Sequence, residues 1–172
     1  MGMYTEINIG VKLNKKAIAD GVIEVLEYMT SQSYDKKNSL PNHPLFQTPR
    51  WAVMMNCGSA YFMGQPDSKV IRSKYDPDED IWLNVRSNLK NYDYEIELFL
   101  DWIQPYIEYE EFIGYMRYEE FEMPTLIYNT DKGIELQQVF PDGSHTWTLL
   151  SEYLKHNPKY VEWLEKCKES EE

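Results

Sequence analysis

The chain is short of the residues that staple or anchor a protein. Its two cysteines, Cys57 and Cys167, stand far apart without a CxxC partner, too few for a disulfide scaffold or a cysteine-rich zinc site. No window approaches the roughly 20 continuous apolar residues of a membrane span. The opening MGMYTEINIG has neither the basic n-region nor the apolar h-region of a secretory signal, and Asn-x-Ser/Thr acceptors are missing. These absences together lead us to expect a cytoplasmic protein with no membrane partner.

Motifs that carry chemistry are also lacking. The sequence has no GxxxxGK[ST], GxGxxG, HExxH, GxSxG, EF-hand loop or CxxC, which removes the commonest phosphate, dinucleotide, metal and nucleophile signatures. Its three histidines, His43, His145 and His156, fall in distant loops or helix ends without metal-ligand spacing. Cys57 ends the apolar run Ala52–Cys57, the setting of an inert thiol. No cofactor, metal or catalytic residue is therefore expected. Gly58 and Gly64, around Ser59–Met63, read as bulge or turn positions, because no helix start follows them. Positive charge is scarce too: 17 Lys and Arg face 29 Asp and Glu, a net charge of −12.

What is present suits one folded domain spanning 1–172, within the usual range of about 100–200 residues. Apolar residues make up 42% and aromatic residues 15%, which excludes a disordered chain. Ile7, Ile9, Val11 and Leu13 alternate with polar residues, a half-buried strand. After Asn14, the helical spacing of Ile18, Val22, Val25, Leu26 and Met29 predicts an amphipathic helix. Thr30–Pro49 is polar, proline-broken and irregular. Strand-like runs follow at Arg50–Cys57, Ser59–Met63, Lys69–Tyr75 and Ile81–Arg86, with a turn at Asp76–Asp80.

A second helix starts near Asn91 or Asp93 with the seam Ile96, Phe99, Leu100, Ile103 and Ile107, and Pro105 bends its end. Strands are expected at Phe112–Tyr118, Pro124–Asn129 and Ile134–Phe140, and short helices at Trp147–Lys155 and Pro158–Lys168. This order predicts an α+β fold: an antiparallel or mixed sheet with helices on one face, ferredoxin-like or a related two-layer sandwich, with two short C-terminal helices.

Charge is unevenly spread. Residues 92–151 hold thirteen acids against Arg117 and Lys132, so nearly all of the imbalance lies in one third of the chain. Such a field repels phosphate backbones and speeds encounter with basic surfaces, so direct nucleic-acid binding is not expected. Asp93, Glu97, Asp101 and Glu108 project from one side of the second helix. Glu119 and Glu120 follow at the next hairpin, and Trp102 offers an aromatic anchor if its face is exposed. Adjacent carboxylates such as Glu110–Glu111 and Glu119–Glu120 point to opposite faces of a strand and do not make a dyad by position alone.

The segment Arg86-Ser87-Asn88-Leu89-Lys90-Asn91-Tyr92-Asp93-Tyr94-Glu95-Ile96-Glu97, with Gly114-Tyr115-Met116-Arg117-Tyr118-Glu119-Glu120, resembles stretches of uncharacterised small acidic proteins of bacteria and bacteriophages. The resemblance covers about a third of the chain and carries no catalytic signature. It implies a bacterial or phage setting, where small acidic proteins often inhibit host machinery.

The leading expectation is a binding module that engages a basic partner protein through Asp93, Glu97, Asp101, Trp102, Glu108, Glu119 and Glu120. The partner would be a host protein, for instance one that binds nucleic acid, with this chain as inhibitor or nucleic-acid mimic. The alternatives are a small enzyme or ligand-binding protein with a site at Tyr115, Arg117 and Glu119, and a homo-oligomeric structural component.

Overall fold

Alternation builds the first strand as expected. Ile7, Ile9, Val11 and Leu13 are buried along β1 (Thr5–Leu13). The computed structural model describes residues 3–31, 40–59, 62, 65–77 and 80–169. After β1 come α1 (Lys16–Ala19), α2 (Val22–Thr30), β2 (Lys69–Arg72), β3 (Ile81–Leu89) and α3 (Glu95–Ile103). Then follow β4 (Glu111–Tyr118), β5 (Thr125–Thr130), β6 (Gly133–Val139), β7 (His145–Leu149), α4 (Leu150–Leu154) and α5 (Pro158–Glu169). Short 3-10 turns occupy Pro44–Gln47 and Gln104–Tyr106.

The fold is α+β, with one seven-stranded antiparallel sheet in the order β2-β3-β1-β4-β5-β6-β7. The mixed alternative does not arise. Every strand pair among the described residues is antiparallel, with β3 lying between β1 and β2 and β1 lying between β3 and β4. Val22, Ile23, Val25, Leu26 and Met29 of α2 and Ile96, Phe99, Leu100 and Ile103 of α3 join the inner strand residues in one core. Burying each such aliphatic side chain contributes about 1.5–3 kcal/mol.

Local readings fail in two places. Arg50–Cys57 is not a strand. Its adjacent residues Met54 and Met55 are both fully buried, which alternation forbids. The segment instead makes successive turns, with the Val53 amide donating to Arg50 O at 3.1 Å and the Asn56 amide to Val53 O at 2.9 Å. Trp147 does not open a helix either: Thr146, Trp147 and Thr148 extend β7, and α4 begins only at Leu150. β-Branched and aromatic residues favour the strand, and the Asp142-Gly143 turn, with Gly143 at φ 83, closes the β6–β7 hairpin.

Lys69–Tyr75 is strand only to Arg72. Most of the Ser59–Met63 run, residues 32–39 of the irregular segment, Gly64, and Asp78 and Glu79 of the acidic turn lie outside the described residues.

Candidate functional site

The sheet register creates a hollow. Paired residues share a face, so Ile7, Met116, Thr125, Gln138 and Thr146 form one row across β1, β4, β5, β6 and β7. The next row is Ile9, Gly114, Ile127, Leu136 and Thr148. These rows face the core near β1 and β4. Toward β7 they end in short threonines that remain exposed, and the helices do not fill the space above them.

A cavity of about 450 Å³ results. Its floor includes Met116, Thr125, Gln138 and Thr146, and Tyr94 and Glu97 of the α3 start stand on one wall with Tyr153 of α4. Tyr118 and Phe121 line it from the end of β4 and the turn beyond. Two ring pairs border it. Tyr94 and Tyr153 are tilted with centroids 6.0 Å apart, and Tyr118 and Phe121 meet edge-on at 5.3 Å.

The start of α3 carries the unusual features. Tyr94 is the one non-glycine residue at positive φ (60°) among the described residues. A left-handed conformation costs an ordinary side chain about 1–2 kcal/mol, and such strain gathers at functional sites. Asn91 Nδ2 donates to Glu97 Oε2 at 2.7 Å, while Asn91 Oδ1 accepts the Ile96 amide at 2.9 Å. Glu97 is 5% exposed. Burial pushes its carboxyl above the usual carboxylate range, helped by the charge of Glu95 and partly opposed by Asn91 and its own amide. Burial, then Glu97 and Tyr94, push the Tyr153 phenol up to about 12. Desolvation and then Glu120 and Glu119 raise the Tyr118 phenol, which places those carboxylates near this lining residue.

The seven residues expected to form one acidic surface do not form one. Trp102 is 6% exposed and packs edge-on against Phe46 at 5.1 Å, so its face is a second core rather than an anchor. Asp101 accepts from Tyr160 Oη at 3.1 Å and pairs with His43 Nε2 at 3.1 Å, tying α3 to α5 and the Pro44 turn. His43 Nδ1 accepts the Leu45 amide, which puts the ring proton on Nε2 facing Asp101. Asp93 pairs with Arg50, and Glu108 with Lys12. Glu97 turns into the cavity. Glu119 Oε2 is buried and finds no hydrogen-bond partner among the described residues. Of the seven, only Glu108 and Glu120 are exposed.

Tyr115 and Arg117 of the alternative site lie away from the cavity. Met116 and Tyr118 line the cavity, so alternation puts Tyr115 and Arg117 on the opposite face of β4. Arg117 lies there 3.6 Å from Glu6 and over the Phe62 ring at 5.3 Å. β4 ends at Tyr118, before Glu119.

The cavity residues escaped sequence reading because they are scattered from Met3 to Tyr153. One signal was available. Thr125, Gln138, Thr146 and Thr148 are polar at core-phase positions of their strands, where an ordinary core would use aliphatic residues.

A more open hollow of about 460 Å³ lies around Lys12, Asp80 and Glu108, where Lys12 is held at 3.3 and 3.4 Å by the two carboxylates. The larger figure does not make it the better site, since its opposite charges satisfy one another. Among the described residues no group of three or more His, Cys, Asp or Glu could hold a metal ion, and no helix is long and apolar enough to cross a membrane. Compared with known proteins, the chain matches no family model, no curated protein and no solved structure.

Proposed function

We propose that this protein binds a small organic ligand in the cavity between the α3 start, α4 and the β4–β7 floor. The observation that carries this reading is Glu97: a carboxyl 5% exposed, raised in pKa and lining a cavity bordered by four tyrosines and a phenylalanine. A well-formed concave site with few convergent polar groups and a perturbed acid is the usual form of a ligand site. The strained Tyr94 on the same wall supports the reading. No Lys, Arg or His is among the lining residues, so phosphate and carboxylate ligands find no counter-charge there.

The test is a ligand-stabilisation screen with a blocked control. Thr146 is exposed on the edge strand of the floor. Thr146→Trp fills the cavity at little structural cost. Fragments that raise the melting temperature of the wild type should lose their effect on this variant. Shifts that persist undiminished would reject the cavity as the site.

A second reading keeps the basic partner protein. Glu110, Glu111, Glu120 and Glu122 are exposed. Phe112 (51% exposed) and Trp147 (48%) form an aromatic row with Tyr128 on the outer face of the sheet, at centroid distances of 5.3 and 5.1 Å. Acidic residues around exposed aromatic rings support recognition of a basic protein. The inhibitor role implied by the phage-type resemblance belongs to this reading. Capture on the immobilised chain, compared with a Phe112→Ser, Trp147→Ser variant, tests it.

A further inference from the structure

The identity of the ligand class can be taken further, resting on the cavity reading above. We infer that the cavity receives an organic cation, an amine or ammonium group held between the Tyr94–Tyr153 and Tyr118–Phe121 ring pairs with Glu97 as its counter-ion.

Ring faces are the negative part of the aromatic quadrupole, and several rings around one space form the usual receptor for alkylammonium groups. Here rings from α3, α4, β4 and the turn after it border one volume. Glu97 is the only carboxylate among the lining residues, and no basic side chain accompanies it. The nearby cations are engaged elsewhere: Arg50 holds Glu95 and Asp93, and Lys90 lies over the Tyr4 ring. An anionic ligand would therefore enter a site with nothing to neutralise it. A neutral ligand would leave a buried carboxyl with Asn91 as its side-chain partner. A cation alone answers both the rings and the acid.

The charge distribution gives the same sign. The cavity draws much of its lining from residues 92–151, whose net charge is −11, and the exposed Glu120 and Glu122 flank the lining residue Phe121 in the chain. Such a field concentrates cations and speeds their entry.

Protonation follows. The groups facing Glu97 are Asn91 and Glu95 beside α3, Tyr94 on the same wall, and Tyr153 from α4. None is positive, so the carboxyl of the empty site stays raised above its ordinary range by burial. Below that raised pKa an entering ammonium drives the carboxyl to ionise, and its proton goes to solvent.

The experiment uses the full chain and two matched probe pairs: choline with 3,3-dimethylbutan-1-ol, and tryptamine with 3-propylindole. Affinities are measured by titration calorimetry in two buffers of different ionisation enthalpy. The cations should bind tighter than their uncharged isosteres by about ten-fold or more, the scale of a desolvated cation–π contact. They should release protons below the folded pKa of Glu97 and weaken as salt rises. Glu97→Gln, which copies the protonated carboxyl, should abolish the proton release and most of the preference. Tyr153→Leu, at a half-exposed ring, should reduce cation affinity more than isostere affinity. Equal binding of each pair would overturn the cation assignment and leave the cavity reading standing. The cation assignment falls in the same way if other fragments bind in the cavity and both cations fail. If no fragment of any charge responds to Thr146→Trp, both readings fall together.

Discussion

Asn91 holds the start of α3 twice with one side chain: its Nδ2 donates to Glu97 Oε2 at 2.7 Å and its Oδ1 accepts the Ile96 amide at 2.9 Å. The second bond satisfies one of the orphan amides in the first turn of α3. The first holds the buried acid of the cavity. Asn91→Leu should therefore cost about 1–3 kcal/mol, the range for leaving buried polar groups unpaired. Urea unfolding checks it; a loss below a few tenths of a kcal/mol would show that water replaces Asn91 freely.

Glu97 predicts a pH dependence whose sign follows from its raised pKa. The ordinary value is 4.5 and the folded value lies higher because of burial. Between the two, the folded state holds more protons than the unfolded state, so stability falls as pH rises. The contribution is fully present below the unfolded value and is lost as pH passes through the folded one. The stability of the wild type relative to Glu97→Gln should thus decline above pH 4.5. A flat difference across that range would mean that Glu97 ionises in the folded chain as it does in water.

Arg50 is required by Glu95, which is 0% exposed and 3.2 Å from the guanidinium. Arg50→Ala should destabilise the fold by about 3 kcal/mol, because removing one partner strands a buried charge. Adding Glu95→Gln should restore a good part of that loss. Thermal unfolding of the single and double variants measures it, and additive losses would contradict the pairing.

Tyr94→Asn separates stability from binding. Asparagine tolerates the left-handed conformation better than tyrosine, and it removes one ring of the Tyr94–Tyr153 pair. Stability should stay within about 1 kcal/mol of wild type, as relief of strain offsets lost packing, while ligand-induced stabilisation disappears. Retained ligand response would remove Tyr94 from the site.

Gly114 cannot carry a side chain. At φ 147 its Cβ would sit 2.0 Å from Asn8 O and 2.8 Å from Ile9 Cα, against the backbone of the strand it pairs with. Gly114→Ala should cost on the order of 4 kcal/mol or prevent folding, a loss reserved for named backbone clashes. Circular dichroism and solubility of the variant check this; a native spectrum with unchanged melting would contradict the clash.

Several elements were legible because their periodicity is local. β1 shows its period of two in Ile7, Ile9, Val11 and Leu13, and α3 shows its seam in Ile96, Phe99, Leu100 and Ile103. The turn at Arg50–Asn56 was not legible, since Met54 and Met55 are buried from two directions by neighbours distant in sequence. β7 was hidden by a mixed pattern in which Thr146 and Thr148 face a cavity instead of a core.

Among the candidate residues, Glu97 was found for its charge and has a different setting from the one expected. On a helical projection it sits with Asp93 and Asp101. In the fold one of these three pairs with Arg50, one ties α5 to α3, and one is buried beside Asn91. Residue type does not distinguish these fates, because desolvation depends on what packs above each carboxyl.

By itself, the sequence determined the local elements with clear periods, the α+β class, and the concentration of negative charge in residues 92–151. Those properties depend on residue type and near-neighbour spacing. Only the tertiary structure decided that Met116, Thr125, Gln138 and Thr146 stand in one row, that rings from α3, α4 and β4 border one cavity, and which acid lines it. Strand register and burial are set by pairing between segments far apart along the chain, so the site exists only once those pairings close.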